Sequence, residues 1–189
     1  LDTIGMEKTE AARRRALSIN PDVDIERMDV LVSEETVPEI LDGGFDVLID
    51  AIDTVRMKVC LLRAACDAGI RTFSSMGAAR HMDAGAIRIA PMMSSRVCPV
   101  ASAVRSGLRG YDASRITCVY SEEKPIDAHE GRDEHGKSVL GSMPTIPAIF
   151  GMTLANEAIR HILYGKRPAG GSPRRRPPAG RRKPSKGFP

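Results

Sequence analysis

The chain has 189 residues, of which 42% are hydrophobic and 28% charged, with a net charge of +4. This is the size and composition of one globular domain. No apolar run approaches the roughly 18 to 20 residues that a membrane span needs, and the polar start of the chain does not resemble a signal peptide. The four cysteines form no CxxC pair, which argues against a zinc ribbon or a dense disulfide framework. We therefore expect a protein of the reducing cytoplasm.

The charge is divided unevenly along the chain. Residues 165–189 contain nine basic residues, no acidic residue and six of the 13 prolines, which leaves residues 1–164 with a net charge of −5. Such a segment buries too little apolar surface to offset the entropy lost on ordering. We predict a folded domain at 1–164 and a disordered basic tail at 165–189. The tail's charge suits RNA or an anionic membrane surface, and a solvated tail without a specific partner is the alternative.

The first half of the chain alternates between helical and strand patterns. The predicted elements are a helix at 7–19, a strand at 23–30, a short helix from the N-cap Ser33 to Leu41, a strand at 45–52, a helix at 55–68 and a strand at 70–74. The run FDVLIDAI at 45–52 is almost continuously apolar, which is typical of a strand covered on both faces. This order predicts an α/β fold with a parallel sheet.

The second half of the chain does not continue this alternation of helix and strand patterns in the same way. It contains a predicted strand at 86–90, a helix that starts at Cys98-Pro99 and runs to about Arg109, a strand at 115–121 and a last helix at 146–163. Between the last two lies a polar stretch at 125–142 with three glycines and two histidines, which predicts a mobile loop.

The segment VLIDAIDTVRMK at 47–58 carries the clearest chemistry. Asp50 and Asp53 fall at the carboxyl end of a predicted parallel strand, where open α/β sheets bind ligands. A carboxylate there can hold Mg²⁺, which relies partly on substrate phosphates for its ligands. Arg56 and Lys58 follow on the first turn of the next helix and could face phosphate oxygens. The alternative is that Asp53 simply caps that helix.

Lys8 is a second candidate, because it lies in the first turn of the first helix. A cation there is unfavourable against the helix dipole, and it makes sense if an anion such as a triphosphate lies nearby. An exposed surface lysine is the alternative. The histidines show no HxxH or HExxH spacing, and no GxGxxG or GxxxxGK[ST] motif is present in the chain.

Several ordered blocks together resemble the ubiquitin-activating-enzyme-like superfamily of ThiF, MoeB and HesA, and most closely its tRNA threonylcarbamoyladenosine dehydratase branch. The blocks that carry the resemblance are IGMEKTEAARRRALSINPD (4–22), DVLIDAIDTVRMK (46–58), SSMGAARHMDAGAIRIAPM (74–92), CPVASAVRSGLR (98–109), ITCVYSEEKP (116–125) and GSMPTIPAIFGMTLANEAIRHIL (141–163). They cover nearly all of residues 4–163 in order, which makes them more specific than any single motif.

The resemblance implies a Rossmann-like ThiF-type fold and a set of site residues. It implies that Lys8 contacts the ATP phosphates and that Asp53 lies near Mg·ATP and promotes adenylation. Lys58 falls where relatives carry a basic residue, and residues 125–142 correspond to the crossover loop above the active site. The cofactors implied are ATP and Mg²⁺, and no structural zinc is expected in this branch.

The resemblance also implies the reaction and the partners. An ATP-dependent dehydratase of this branch adenylates the threonylcarbamoyl carboxylate at position 37 of tRNA and then closes a ring. The partners are then tRNA, a sulfur-transfer protein and a second copy in a homodimer. One alternative is adenylation of a ubiquitin-like carrier, which a cysteine in residues 125–142 would favour, yet none is present there.

Members of this superfamily begin with a strand, a Gly-rich nucleotide loop and a second strand ahead of the lysine helix. This chain starts immediately before that helix, so we expect an N-terminally truncated form of the fold. Either the chain is a fragment, or another chain supplies the first βαβ unit and the backbone amides that hold phosphate. A non-catalytic subunit of the same fold is therefore the second alternative.

Overall fold

The computed structural model describes residues 2–126, 131–132, 138–139 and 141–165 of the chain. The helices are α1 (Lys8–Ile19), α2 (Val37–Leu41), α3 (Val55–Asp67), α4 (Pro99–Gly107) and α5 (Thr145–Tyr164). The strands are β1 (Val47–Asp50), β2 (Arg71–Ser75), β3 (Ile87–Pro91), β4 (Ile116–Ser121), β5 (Gly131–Arg132) and β6 (Ser138–Val139). The predicted tail at 165–189 lies outside the described residues from position 166 onwards.

Four strands form one open sheet in the order β1-β2-β4-β3. β1, β2 and β4 run parallel to one another, and β3 lies antiparallel at the edge. β1, α3 and β2 make a βαβ unit, so the carboxyl ends of β1 and β2 meet at the same edge of the sheet. The predicted class, an α/β fold with a mostly parallel sheet, is confirmed.

Two apolar layers cover the sheet. On one face α3 and α4 pack over β4 through a cluster that includes Leu62, Val104 and Cys118. On the other face α5 packs through Phe150 and its neighbours. Because both layers lie over the middle of the sheet, β4 is buried along nearly its whole length.

The predicted strand at 23–30 is wrong, since these residues form neither a strand nor a helix. Their charged side chains bind α1 instead: Arg27 Nη1 lies 2.8 Å from Glu10 Oε2, and Asp29 accepts a hydrogen bond from the Thr9 hydroxyl. A strand is stabilised by ladder hydrogen bonds to a neighbour, and within the described ranges the sheet ends at β1. The alternating pattern alone therefore does not produce a strand here.

Two further predictions are corrected by the structure. The short helix begins at Val37 rather than after Ser33, and its N-cap residue is Thr36. Residues 125–142, predicted as a loop, include the short antiparallel pair of β5 and β6. The segment is also fastened near its ends, because the Arg80 amide donates to the Gly141 carbonyl and the Ile126 amide donates to the Arg80 carbonyl.

Candidate functional site

Three elements converge at the carboxyl end of β1. Asp50 is the last residue of β1 and lies in register with Ser74 of β2. Both side chains point to the face that α3 covers, and Lys58 of α3 reaches down to meet them. On α3 the buried positions are Lys58, Leu61, Leu62 and Ala65, so the lysine lies on the apolar stripe that faces the sheet.

The Asp50 carboxylate is the centre of a buried polar network. Lys58 Nζ lies 2.7 Å from Asp50 Oδ2, and the Ser74 hydroxyl donates to the same oxygen at 2.5 Å. The other oxygen, Oδ1, accepts the Ile52 amide at 3.1 Å. Asp50 and Lys58 are each only 1% exposed. A buried carboxylate is tolerable because a cation and two further donors satisfy it.

Asp53 occupies the loop between β1 and α3 and is exposed. The N-cap residue of α3 is Thr54, which makes no side-chain capping bond. The N-cap position of this helix thus belongs to Thr54 and not to Asp53. An exposed carboxylate at the end of a parallel strand has the donor chemistry that Mg²⁺ prefers.

Lys8 is the first residue of α1 and is exposed. α1 buries none of its residues. It is connected to residues 27–29 by a salt bridge of 2.8 Å between Arg27 Nη1 and Glu10 and by the hydrogen bond from the Thr9 hydroxyl to Asp29. The structure therefore places Lys8 and Asp53 on separate elements. Their joint role at one site stays a prediction.

The structure gives Lys58 and Arg56 different surroundings from those the sequence suggests. Lys58 contacts Asp50 in the interior, so a direct contact between Lys58 and a nucleotide stays a prediction that this geometry does not favour. Arg56 is exposed and forms a salt bridge of 3.1 Å with Glu34. Asp50, which the sequence groups with Asp53 as an oxygen ligand for Mg²⁺, already binds three protein donors.

A second polar feature lies beside β2, in the segment that follows it. His81 is buried, and its Nδ1 has no hydrogen-bond partner among the described residues, with Glu123 Oε2 at 3.7 Å. His81 also lines a mostly apolar cavity of about 360 Å³ together with Met82, Ile126 and Met143. The sequence does not single out this histidine, because it belongs to no HxxH or HExxH motif that would indicate a metal or catalytic site.

We predict that acidification destabilises the fold through His81. Burial lowers the pKa of His81 below its usual value, and the nearby Glu123 opposes this effect. Between the lowered pKa and about 6.5 the unfolded chain binds the proton more readily, so stability falls as the pH drops through this window, by at most about 1.4 kcal/mol per pH unit. Urea unfolding at pH 7.5 and pH 5.5 should show a smaller loss in His81→Gln than in the wild type. Equal losses would contradict this origin.

The chain belongs to the ThiF family, whose sequence pattern matches residues 1–176. The resemblance given by the sequence blocks is thereby confirmed. Among curated relatives, the chain is 35% identical over 178 residues to the tRNA threonylcarbamoyladenosine dehydratase of Haemophilus influenzae, and the match covers 87% of this chain and 68% of that protein.

Other relatives carry the same name. The chain is 29% identical over 174 residues to the tRNA threonylcarbamoyladenosine dehydratase of Bacillus subtilis, covering 86% of this chain and 68% of that protein. It is 27% identical to tRNA threonylcarbamoyladenosine dehydratase 2 of Saccharomyces cerevisiae, covering 86% of this chain and 41% of that protein. The chain thus spans about two thirds of the bacterial relatives and less than half of the yeast one.

Solved structures confirm the fold. The Escherichia coli tRNA N6-threonylcarbamoyladenosine dehydratase in complex with ATP matches with a TM-score of 0.73 at 23% identity, covering 84% of this chain and 65% of that one. The same enzyme in complex with AMP matches with a TM-score of 0.72.

Among the described residues, no helix is long and apolar enough to cross a bilayer.

Proposed function

We propose that the chain acts as an ATP-dependent tRNA threonylcarbamoyladenosine dehydratase. The observation that carries this proposal is the shared name of the bacterial relatives that align over 86–87% of the chain. The ATP and AMP complexes of the Escherichia coli enzyme support the nucleotide chemistry. The substrate is then the N6-threonylcarbamoyl group of the adenosine at position 37 of tRNA.

The reaction follows from the chemistry of a carboxylate and a nucleoside triphosphate. The threonylcarbamoyl carboxylate attacks the α-phosphate of ATP, and the bond to pyrophosphate breaks. A nitrogen or oxygen of the same group then attacks the activated carbonyl, and AMP leaves with one carboxylate oxygen. The ring closes with net loss of water. The protein contributes mainly positioning and stabilisation of the charge that develops on the phosphate.

Lys8 and Asp53 are the residues that we assign to this chemistry. Asp53 supplies an exposed carboxylate at the carboxyl end of β1, the place where open α/β sheets bind ligands. Bound there with ATP, Mg²⁺ would neutralise charge on the triphosphate. Lys8 supplies a cation for phosphate oxygens from an exposed first turn of α1.

The partners and location form the remaining part of the proposal. tRNA is the substrate, and a second copy of the chain in a homodimer and a sulfur-transfer protein are the further partners. The location that fits a tRNA substrate is the cytoplasm.

The direct test is a reconstituted dehydration assay. The chain is incubated with ATP, Mg²⁺ and tRNA that carries threonylcarbamoyladenosine, and the nucleosides are analysed by mass spectrometry. We expect a product lighter by one water and an equal amount of AMP. If the tRNA stays unchanged while a ubiquitin-like carrier with a Gly-Gly end becomes adenylated, the carrier alternative replaces this proposal.

A further inference from the structure

The network of Asp50, Lys58 and Ser74 is unusual because it places two full charges in the interior. Lys58 and Asp50 are 1% exposed, and Ser74 is fully buried. A buried ion pair is weak evidence for stability, since well-packed apolar side chains in its place are often as stable. Packing alone therefore does not explain why this face of α3 carries a lysine.

The network fastens both sides of one loop. Asp50 ends β1, and its Oδ1 accepts the amide of Ile52, the second residue beyond it. Its Oδ2 accepts from Lys58, which belongs to the first turns of α3. Residues 51–54 therefore lie between Asp50 and Lys58, and the Asp50 carboxylate binds both Ile52 within this loop and Lys58 beyond it. Asp53 lies within this loop.

Ser74 connects the loop to the rest of the sheet. Its hydroxyl donates to Asp50 Oδ2 from the neighbouring strand, so the carboxylate is held from β2 as well as from α3. With donors from three directions, the carboxylate has little freedom to rotate about its χ angles. The Ile52 amide, and with it the start of the loop, follows the orientation of the carboxylate.

We propose that Asp50, Lys58 and Ser74 are positioning residues that fix the loop 51–54 and so orient Asp53 for the adenylation step. This inference rests on the proposed function, because it assigns the network a task in that reaction. None of the three side chains touches substrate in this role. They act through the loop, and the expected consequence is on turnover rather than on substrate affinity.

The test uses Ser74→Ala, which removes one donor and leaves the ion pair in place. The matched control is Thr72→Val, which removes a buried hydroxyl from the same strand and the same face that, within the described ranges, donates to the Ile70 carbonyl. We expect Ser74→Ala to lower kcat about tenfold with the KM for ATP nearly unchanged. Thr72→Val should leave kcat close to the wild-type value, and Ser74→Thr should restore part of the lost rate.

Two further readouts separate positioning from a merely structural effect. In an Asp53→Asn background, Ser74→Ala should cause no additional loss of kcat, because the group that it positions is already absent. Hydrogen exchange should show faster opening of the Ile52 amide in Ser74→Ala than in Thr72→Val. An unchanged kcat in Ser74→Ala, or a full tenfold loss that persists with Asp53→Asn, would overturn the proposal.

The exchange measurement also distinguishes this proposal from the proposed function. If the wild-type chain shows no ATP-dependent dehydration, the proposed function fails, and the exchange rates still report whether the network holds the loop. If the Ile52 amide exchanges in Ser74→Ala at the same rate as in the wild type, the positioning role is overturned, whatever the activity of the variant.

Discussion

Replacing Lys58 by methionine is expected to lower the free energy of unfolding by about 3–5 kcal/mol. The methionine fills most of the space of the lysine stem, but it leaves the Asp50 carboxylate buried without its cation. This loss is a large fraction of the roughly 5–15 kcal/mol that stabilises an ordinary domain. Urea unfolding followed by circular dichroism measures the difference.

A neighbouring residue on the same helix provides the control. Arg56 also forms a salt bridge, with Glu34, but its side chain is 79% exposed. Arg56→Met should therefore lower stability by less than about 1 kcal/mol. Adding Asp50→Asn to Lys58→Met removes the uncompensated charge and should recover part of the loss. A Lys58→Met protein that is no less stable than Arg56→Met would contradict the buried pair.

Replacing Asp53 by asparagine is expected to lower the rate of adenylation by about 10²- to 10³-fold. Asparagine keeps the size of the side chain and its polarity, so the loop 51–54 retains its path. It removes the negative charge that we assign to the nucleotide and its metal ion. Release of pyrophosphate in the presence of ATP and threonylcarbamoyladenosine-bearing tRNA gives the rate directly.

The control for this variant lies at the opposite end of the same strand. Asp46 is an exposed aspartate at the amino end of β1, and Asp46→Asn should leave the rate close to that of the wild type. Lys8→Ala should also lower the rate of adenylation, as Asp53→Asn does. A fully active Asp53→Asn protein would show that this residue has no part in the reaction.

Elements with strong local signals are predicted well from the sequence. The apolar run at 45–52 contains β1, and the helical spacing after Thr54 gives α3 to within one residue of its end. The long periodic pattern of the last helix likewise corresponds to α5. In α3 the buried positions follow the helical period of 3.6 residues. The expectation that the run at 45–52 is covered on both faces is wrong, because Ile49 of β1 is 52% exposed. In α5 the periodic pattern gives the extent of the helix but not its buried face, since apolar side chains such as Met152 and Ile159 are exposed.

The segment at 23–30 shows where that reasoning fails. Its alternating pattern is the same kind of signal, but a strand also needs a neighbour to pair with, and pairing is a long-range property. In the structure its charges bind α1 instead. The N-cap shows the same limit on a smaller scale, since Ser33 and Thr36 are both suitable residues and α2 begins after the second.

The candidate site divides in the same way. The sequence identifies Asp53 as a carboxylate at a strand end, and it identifies Lys8 through its place in a helix and through the family resemblance. Apart from the family resemblance, it does not distinguish Asp50 from Asp53, because Asp50 lies near the end of the apolar run and Asp53 directly follows it. One signal for the buried network is available in retrospect: Lys58 falls on the apolar stripe of α3 with Leu61, Leu62 and Ala65, where a charge requires a partner.

By itself, then, the sequence determined the class of fold and the family, and it predicted the edge of the sheet at which we place the site. Local periodicity and ordered blocks of residues are enough for these, because each depends on neighbours along the chain. Only the tertiary structure decided that Asp50 faces Lys58 and Ser74 in the interior while Asp53 faces solvent. That distinction depends on β1, β2 and α3 meeting at one point. The cost of burying a charge then requires that Asp50, the buried aspartate, has a cation and further donors around it.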